Sequence, residues 1–165
     1  MNRRWVLSTG TPILASAVLL AAFQHPASSQ VPADRRFIGT WRLVSIDSDR
    51  PNASRGTRPT GLIYYDTTGH MAAQIAPGRS RPSWPPNTAP SPEQAKDAVG
   101  GYTAYFGTYV VDEHAGTVTH HREAALNMYA VDLVRKYEFR SDGRLVLTPL
   151  ESENSGIRLV WERIP

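Results

Sequence analysis

Two β-type segments, each with one tryptophan, stand at the two ends of the region between residues 37 and 164. The first runs from Gly39 to Asp47 and begins Gly-Thr-Trp-Arg-Leu-Val. Its alternation places Trp41 on one face of a strand and Ile46 on the other. The second, at residues 159–164, reads Leu-Val-Trp-Glu-Arg-Ile. We predict that the two segments pair and close a small β-barrel around a buried indole.

Further β-type segments lie between these two, separated by turn signals at the spacing of an antiparallel meander. Asp66-Thr67-Thr68-Gly69 and Ser141-Asp142-Gly143 are short turns that return one strand onto the next. The predicted strands cover residues 39–47, 61–65, 70–76, 107–112, 117–126, 130–139, 144–150 and 156–164. This pattern favours an all-β fold, an antiparallel eight-stranded barrel.

A proline-rich insert interrupts the strands between residues 77 and 92. Proline cannot donate a hydrogen bond to a sheet, so no central strand is expected there. The insert ends at Ser91-Pro92-Glu93-Gln94, which has the serine and glutamine of a capping box and a proline suited to a first helical turn. These signals predict one short helix that runs to about Tyr105, with a kink or an early end at Gly100-Gly101 as the alternative.

Residues 1–30 have the three parts of an export signal. Asn2-Arg3-Arg4 give a positive start, residues 11–23 form an apolar run, and Ala27-Ser28-Ser29 supply a peptidase site. The paired arginines also resemble a twin-arginine motif, so the route of export stays open. We expect a periplasmic or secreted protein whose mature domain, residues 31–165, has no integral membrane span. The alternative is an uncleaved anchor helix, although the run is short for a span of about 20 residues.

Charge and cysteine content exclude several classes of protein. The formal net charge is +3, but Arg3 and Arg4 belong to the predicted signal, which leaves 16 basic and 15 acidic residues in the domain. A nearly neutral domain lacks the positive surface of a nucleic-acid-binding protein. The absence of cysteine excludes disulfides, thiol catalysis and thiolate metal sites. We expect no metal and no cofactor, and the oligomeric state is left open.

At both ends the chain resembles lipocalin-type barrels. Gly39-Thr40-Trp41 is similar to their Gly-x-Trp opening, and Arg163 is similar to the late arginine that they place across the tryptophan. Over residues 37–164 the chain most resembles the bacterial and fungal lipocalin-like domain family. The matching stretches are Gly39–Val44, Gly61–Tyr65, Gly69–Met71, Ala104–Tyr109, Gly116–His121 and Leu159–Arg163. The resemblance implies a barrel with a cavity rather than a reaction, with Gly39, Trp41 and Arg163 as residues that close the barrel.

Arg135 is the best single candidate for a residue that orients a ligand. It alternates with the apolar set Val131, Leu133, Tyr137 and Phe139 on the predicted inner face of one strand. A guanidinium on such a face needs an anion or several acceptors. The other reading is that Arg135 pairs with an internal carboxylate or with carbonyl groups at the barrel end.

His120 is the second polar candidate for the lumen. It shares a strand face with Val118 and Arg122, and we expect this face to point inward. His121 lies on the opposite face, so the two histidines cannot bind one metal ion from a regular strand. Four tyrosines are predicted to line the cavity with their apolar faces and hydroxyl tips, namely Tyr64, Tyr105, Tyr109 and Tyr137.

Three functional hypotheses follow from these residues. The first is an exported protein that binds a small, mainly hydrophobic molecule in the barrel cavity, with Arg135 and His120 as polar anchors. The alternative is an isomerase, cyclase or hydrolase of a hydrophobic metabolite, with His120 as general base and Arg135 as oxyanion stabiliser. The third is an envelope protein whose barrel is filled by side chains. Binding without chemistry is the simplest, because the sequence has no nucleophile elbow, phosphate loop or metal-binding string.

Overall fold

A computed structural model of the chain describes residues 33–49, 53–126, 131–150 and 156–165. The predicted signal segment, residues 1–30, lies outside the described residues.

Eight antiparallel strands pair in chain order and form a closed barrel. They are β1 (Gly39–Asp47), β2 (Thr60–Tyr65), β3 (His70–Ala76), β4 (Thr103–Asp112), β5 (Thr117–Ala125), β6 (Leu133–Phe139), β7 (Leu145–Pro149) and β8 (Arg158–Ile164). β1 pairs with β8 from Thr40 opposite Ile164 to Asp47 opposite Arg158. The predicted eight-stranded barrel is therefore confirmed, including the pairing of its first and last strands.

The helices differ from the prediction of one helix reaching Tyr105. Two α-helices are present in the described residues, α1 (Ala33–Phe37) and α2 (Pro92–Val99), together with a 3-10 turn at Ala53–Arg55. α2 begins at the predicted capping box but ends at Val99, because Gly101 has φ +73° and β4 follows two residues later. None of the described helices combines the length and apolar character needed to cross a membrane.

One end of the barrel is closed by contacts between β1, β8 and α1. Trp41 lies opposite Arg163, and the guanidinium of Arg163 stands 4.2 Å from the centre of the indole ring. The same guanidinium donates hydrogen bonds to the carbonyl groups of Ile38 and Arg36. The indole Nε1 of Trp41 donates to the carbonyl oxygen of Phe37 at 2.7 Å. A cation over an indole contributes about 0.5–2 kcal/mol, and these hydrogen bonds fix the segment that enters β1.

Aromatic side chains fill the interior at this same end. Phe37, at the last position of α1, is fully buried at the centre of the group. Its ring centre lies 5.2 Å from that of Tyr65, 5.1 Å from Tyr137 and 5.0 Å from Phe139. We call Phe37, Tyr65, Tyr109, Tyr137 and Phe139 the aromatic cluster. It packs the interior at the end of the barrel where β1 begins.

A β-bulge in β1 changes which side chains face inward. Trp41 and Leu43 are buried as the alternation predicts, but the register with β8 shifts between Leu43 and Ser45. A bulge adds one residue to a strand and therefore reverses the faces beyond it. Ile46, which was predicted on the face opposite Trp41, consequently points into the barrel interior.

Replacement of Gly39 by alanine is expected to weaken the closure of the barrel. Gly39 has φ +127°, and a Cβ atom there would lie 2.5 Å from Nη1 of Arg163. Backbone strain and the displaced guanidinium should together lower the free energy of unfolding by about 2–4 kcal/mol. Urea unfolding followed by tryptophan fluorescence measures this loss.

The matched control is Gly116→Ala, in the turn between β4 and β5. Gly116 also has a positive φ, +65°, but no described atom lies within 4 Å of the added Cβ. In this variant the free energy of unfolding should fall only by the cost of backbone strain, about 1–2 kcal/mol. Equal losses in the two variants would contradict a specific role for the approach of Arg163 to Gly39.

Candidate functional site

A cavity of about 430 Å³ lies in the half of the barrel away from the aromatic cluster. Its walls are mainly apolar and are formed by inward side chains of several strands. They include Ile63, Ala73, Ile75, Leu133, Leu147 and Leu159. The volume lies within the range of about 300–1,000 Å³ that is usual for small-molecule sites.

Side-chain size explains why the barrel is filled at one end and hollow at the other. On β2 the inward positions are Ile63 and then Tyr65, and on β3 Ala73 lies directly opposite Ile63. Tyr65 belongs to the aromatic cluster, whereas Ile63 and Ala73 line the cavity. The small side chain of Ala73 leaves space that a larger residue would occupy.

Two arginines of the described residues line this cavity, and the sequence pattern indicated one of them. Arg135 lies on the inward face of β6, between Leu133 and Tyr137, as its alternation indicates. Arg55 comes from the 3-10 turn before β2 and was missed, because its segment has only the composition of a loop. No local periodicity marks a loop arginine whose side chain folds inward.

Arg55 is incompletely paired inside the cavity. Its Nη2 donates to the hydroxyl of Thr103 at 3.3 Å. Its Nη1 is buried and has no hydrogen-bond partner in the described part of the chain. Burial, and then the positive charge of Arg135, lowers the pKa of the Arg55 guanidinium. The side chain is thus a cation with an unused donor in a mainly apolar site.

Arg79, in the proline-rich insert, holds the turn that carries Arg55. Its Nε donates to the carbonyl oxygen of Ser54 at 2.9 Å, and its Nη2 donates to that of Gly100 at 3.0 Å. It also pairs with the carboxylate of Asp97 at 2.9 Å. One side chain therefore ties the insert and the end of α2 to the rim of the cavity.

His120 is placed behind the cavity wall rather than on it. It is fully buried, with Nε2 at 2.8 Å from the hydroxyl of Tyr65 and Nδ1 at 2.9 Å from the hydroxyl of Tyr105. Burial, followed by the charges of Arg135 and His121, holds the pKa of His120 well below its usual value. A neutral imidazole donates to one tyrosine and accepts from the other. Of these three side chains, Tyr105 is the one that lines the cavity.

The other predicted ligand residues lie elsewhere in the barrel. Tyr64 is 46% exposed on the outer face of β2, so it points away from the lumen. Tyr109 donates to the carbonyl oxygen of Asp66 at 2.9 Å, and Tyr137 packs on Phe37, so both belong to the aromatic cluster. The structure therefore brings Arg135 and Tyr105 to the cavity, and separates Tyr64, Tyr109 and Tyr137 from it.

Arg122 lies beside a second bulge and is not among the residues that line the cavity. Phe106 pairs with Ala124 while Gly107 pairs with Arg122, which leaves Glu123 as an extra residue in β5. The Nε of Arg122 donates to the carbonyl oxygen of Val131 at 2.9 Å. Arg122 thus contacts the backbone of a residue that lines the cavity, without lining the cavity itself.

The remaining polar groups of the cavity are Asp132 and Trp161. Asp132 pairs with Nδ1 of His121 at 2.8 Å on the outer side of the barrel. Trp161 is almost fully buried, and its indole Nε1 has no hydrogen-bond partner in the described residues. Within the same residues, no three His, Asp or Glu side chains are grouped closely enough to hold a metal ion.

The buried state of His120 predicts a pH-dependent stability. The imidazole of the unfolded chain takes up a proton near pH ~6.5, whereas the lowered pKa keeps it neutral in the folded chain. The free energy of unfolding should therefore be highest above that pH. It should fall by up to about 1.4 kcal/mol per pH unit below it, until the pH reaches the folded pKa. Urea unfolding between about pH 7.5 and about pH 5.5 measures this slope.

His120→Gln should flatten that slope, because glutamine does not titrate, while the exposed His114→Gln should leave it unchanged. If His120→Gln folds poorly, the NMR nitrogen shifts of the imidazole in the wild-type protein provide the same information. A His120 ring that is protonated at about pH 6 would contradict the assignment.

Comparison with known families agrees with this architecture. No curated protein matches the sequence. A family model described as "Lipocalin-like domain" matches residues 38–164, a range that contains all eight strands. The closed antiparallel barrel and the matched range together show that the chain belongs to the lipocalin-like domain family.

Proposed function

We propose that this protein binds a small, mainly hydrophobic molecule in the cavity of its barrel. The observation that carries the proposal is the cavity of about 430 Å³ inside a barrel whose other half is packed with aromatic side chains. A well-packed interior has few voids larger than a water molecule. A hollow of this size, enclosed by strands, is therefore best explained by an occupant.

The lining of the cavity supports a ligand that is largely apolar. Ile63, Ile75 and Leu133 present aliphatic groups, and burial of a ligand against them contributes about 25 cal/mol per Å² of apolar surface. The few polar groups, which include Arg55 and Arg135, are suited to orienting one end of the molecule. The hollow also counts against the hypothesis of a barrel filled by its own side chains.

Catalysis is the weaker proposal because of where His120 lies. A general base must reach the proton that it removes, directly or through one intervening group. His120 is fully buried behind Tyr105, so any proton transfer between the cavity and its imidazole passes through the Tyr105 hydroxyl. We therefore place an isomerase, cyclase or hydrolase activity second to simple binding.

Filling the cavity should abolish binding without unfolding the barrel. Ala73 is buried and lines the cavity, so Ala73→Phe places a benzyl group in the proposed ligand site. We expect the affinity for the neutral fluorescent probe N-phenylnaphthylamine to fall at least about tenfold. Fluorescence titration of the purified domain measures the affinity and the stoichiometry.

Ala72→Phe is the matched control on the adjacent, outward position of β3. Ala72 pairs with Tyr64 on one side and Phe106 on the other, and both of these side chains are exposed on the outer wall. This variant should bind the probe as the wild type does, with one site per chain. Equal binding by Ala72→Phe and Ala73→Phe, or no binding by the wild type, would overturn the proposed site.

We also propose that the protein is exported, on the grounds of its amino-terminal composition. Residues 1–30 carry a positive start, an apolar run and small residues before Gln30. The protein recovered from the cell envelope should therefore begin near Gln30 or Val31, as determined by amino-terminal sequencing. A protein that retains Met1 would instead support an uncleaved segment.

A further inference from the structure

Two hydrogen-bond donors of the cavity wall are buried without partners in the described residues. They are Nη1 of Arg55 and the indole Nε1 of Trp161, and both residues line the same cavity. An unsatisfied buried donor is costly and is rare in a folded protein. Both groups donate and neither accepts, so a group that pairs with them must be an acceptor.

The charges of the cavity point to the same kind of partner. Arg55 and Arg135 both line it, and neither forms an ion pair with a carboxylate of the described residues. Among the described residues of the lining, Asp132 is the one acidic side chain, and it is paired with His121. The site therefore holds two guanidinium groups with no counter-ion of their own among these residues.

Burial of a cation in an apolar site is unfavourable unless an anion or several acceptors surround it. The positive charge of Arg135 adds to this cost at Arg55. A neutral apolar ligand would leave both guanidinium groups without a counter-ion and would remove water from them. An anionic ligand removes the cost, and a guanidinium matches the planar geometry of a carboxylate with two parallel hydrogen bonds.

We propose that the ligand is an amphipathic organic anion whose carboxylate binds between Arg55 and Arg135 and whose apolar body lies along the aliphatic wall. Ile63, Ala73 and Ile75 form that wall on β2 and β3. The indole Nε1 of Trp161 is a further donor for the polar end of the ligand. This inference rests on the proposed function, because it specifies the chemical class of the molecule that the cavity holds.

The test compares decanoate with decanol, which have the same chain length and differ in the charged end. Both compete with the neutral probe N-phenylnaphthylamine for the cavity at neutral pH. In the wild-type protein, decanoate should displace the probe at a concentration at least about tenfold lower than decanol. Equal competition by the acid and the alcohol would overturn the inference, although the proposed function would stand.

Arg55→Met and Arg135→Met should each reduce the preference for decanoate to within about threefold of decanol. The preference is the ratio of two competitors measured against the same probe, so it does not depend on the affinity of a variant for the probe, and circular dichroism shows whether each variant is folded. Arg58→Met is the control, since Arg58 is an exposed arginine of the same loop as Arg55, and it should keep the full preference. A preference that survives in both cavity variants would overturn the inference. Failure of the wild type to bind any of the three molecules would overturn the proposed function itself.

Discussion

The pairing of β1 with β8 is the constraint on which the rest of the molecule depends. It closes the sheet, and it places Arg163 over the indole of Trp41 at the end where the barrel begins. Gly39 makes this approach possible, because a side chain there would meet the guanidinium. With this end fixed by hydrogen bonds to the segment that enters β1, the interior beyond it need not be completely filled for the barrel to hold its shape.

The interior is divided into two halves by side-chain size, and the Tyr65–His120–Tyr105 chain lies at the boundary. Tyr65 belongs to the aromatic cluster, and Tyr105 belongs to the cavity wall. His120 joins them through both ring nitrogens, so the polar groups of these three side chains pair with one another. A buried network of this kind is stabilising only when every member is paired. It gives the cavity a rigid floor whose donors and acceptors are largely engaged.

Local sequence patterns were sufficient to predict the strands, the closure of the barrel and the inward face of β6, because each of these depends on alternation and turn chemistry. They did not predict the direction of a side chain where that direction depends on pairing with a strand distant in sequence. The bulge in β1 reversed the position of Ile46, and Arg122 donates to the carbonyl oxygen of Val131 instead of lining the cavity. Arg55 lies in a loop without periodicity, so only the tertiary contacts of Arg79 and Gly78 near its turn reveal that it reaches the cavity.

The two ends of the barrel use arginine in opposite ways, and this contrast bears on function. Arg163 has an aromatic face and two carbonyl groups as partners, so its charge contributes to closure. Arg55 is held in place by its backbone and by Arg79, yet one of its guanidinium nitrogens is left without a partner in the described residues. The surroundings of Arg55 hold its side chain in place but leave one hydrogen-bond donor unused. Such a side chain is suited to bind a group that comes from outside the chain. The stability given up at Arg55 is recovered when such a group binds, since a ligand that binds only the folded state stabilises it.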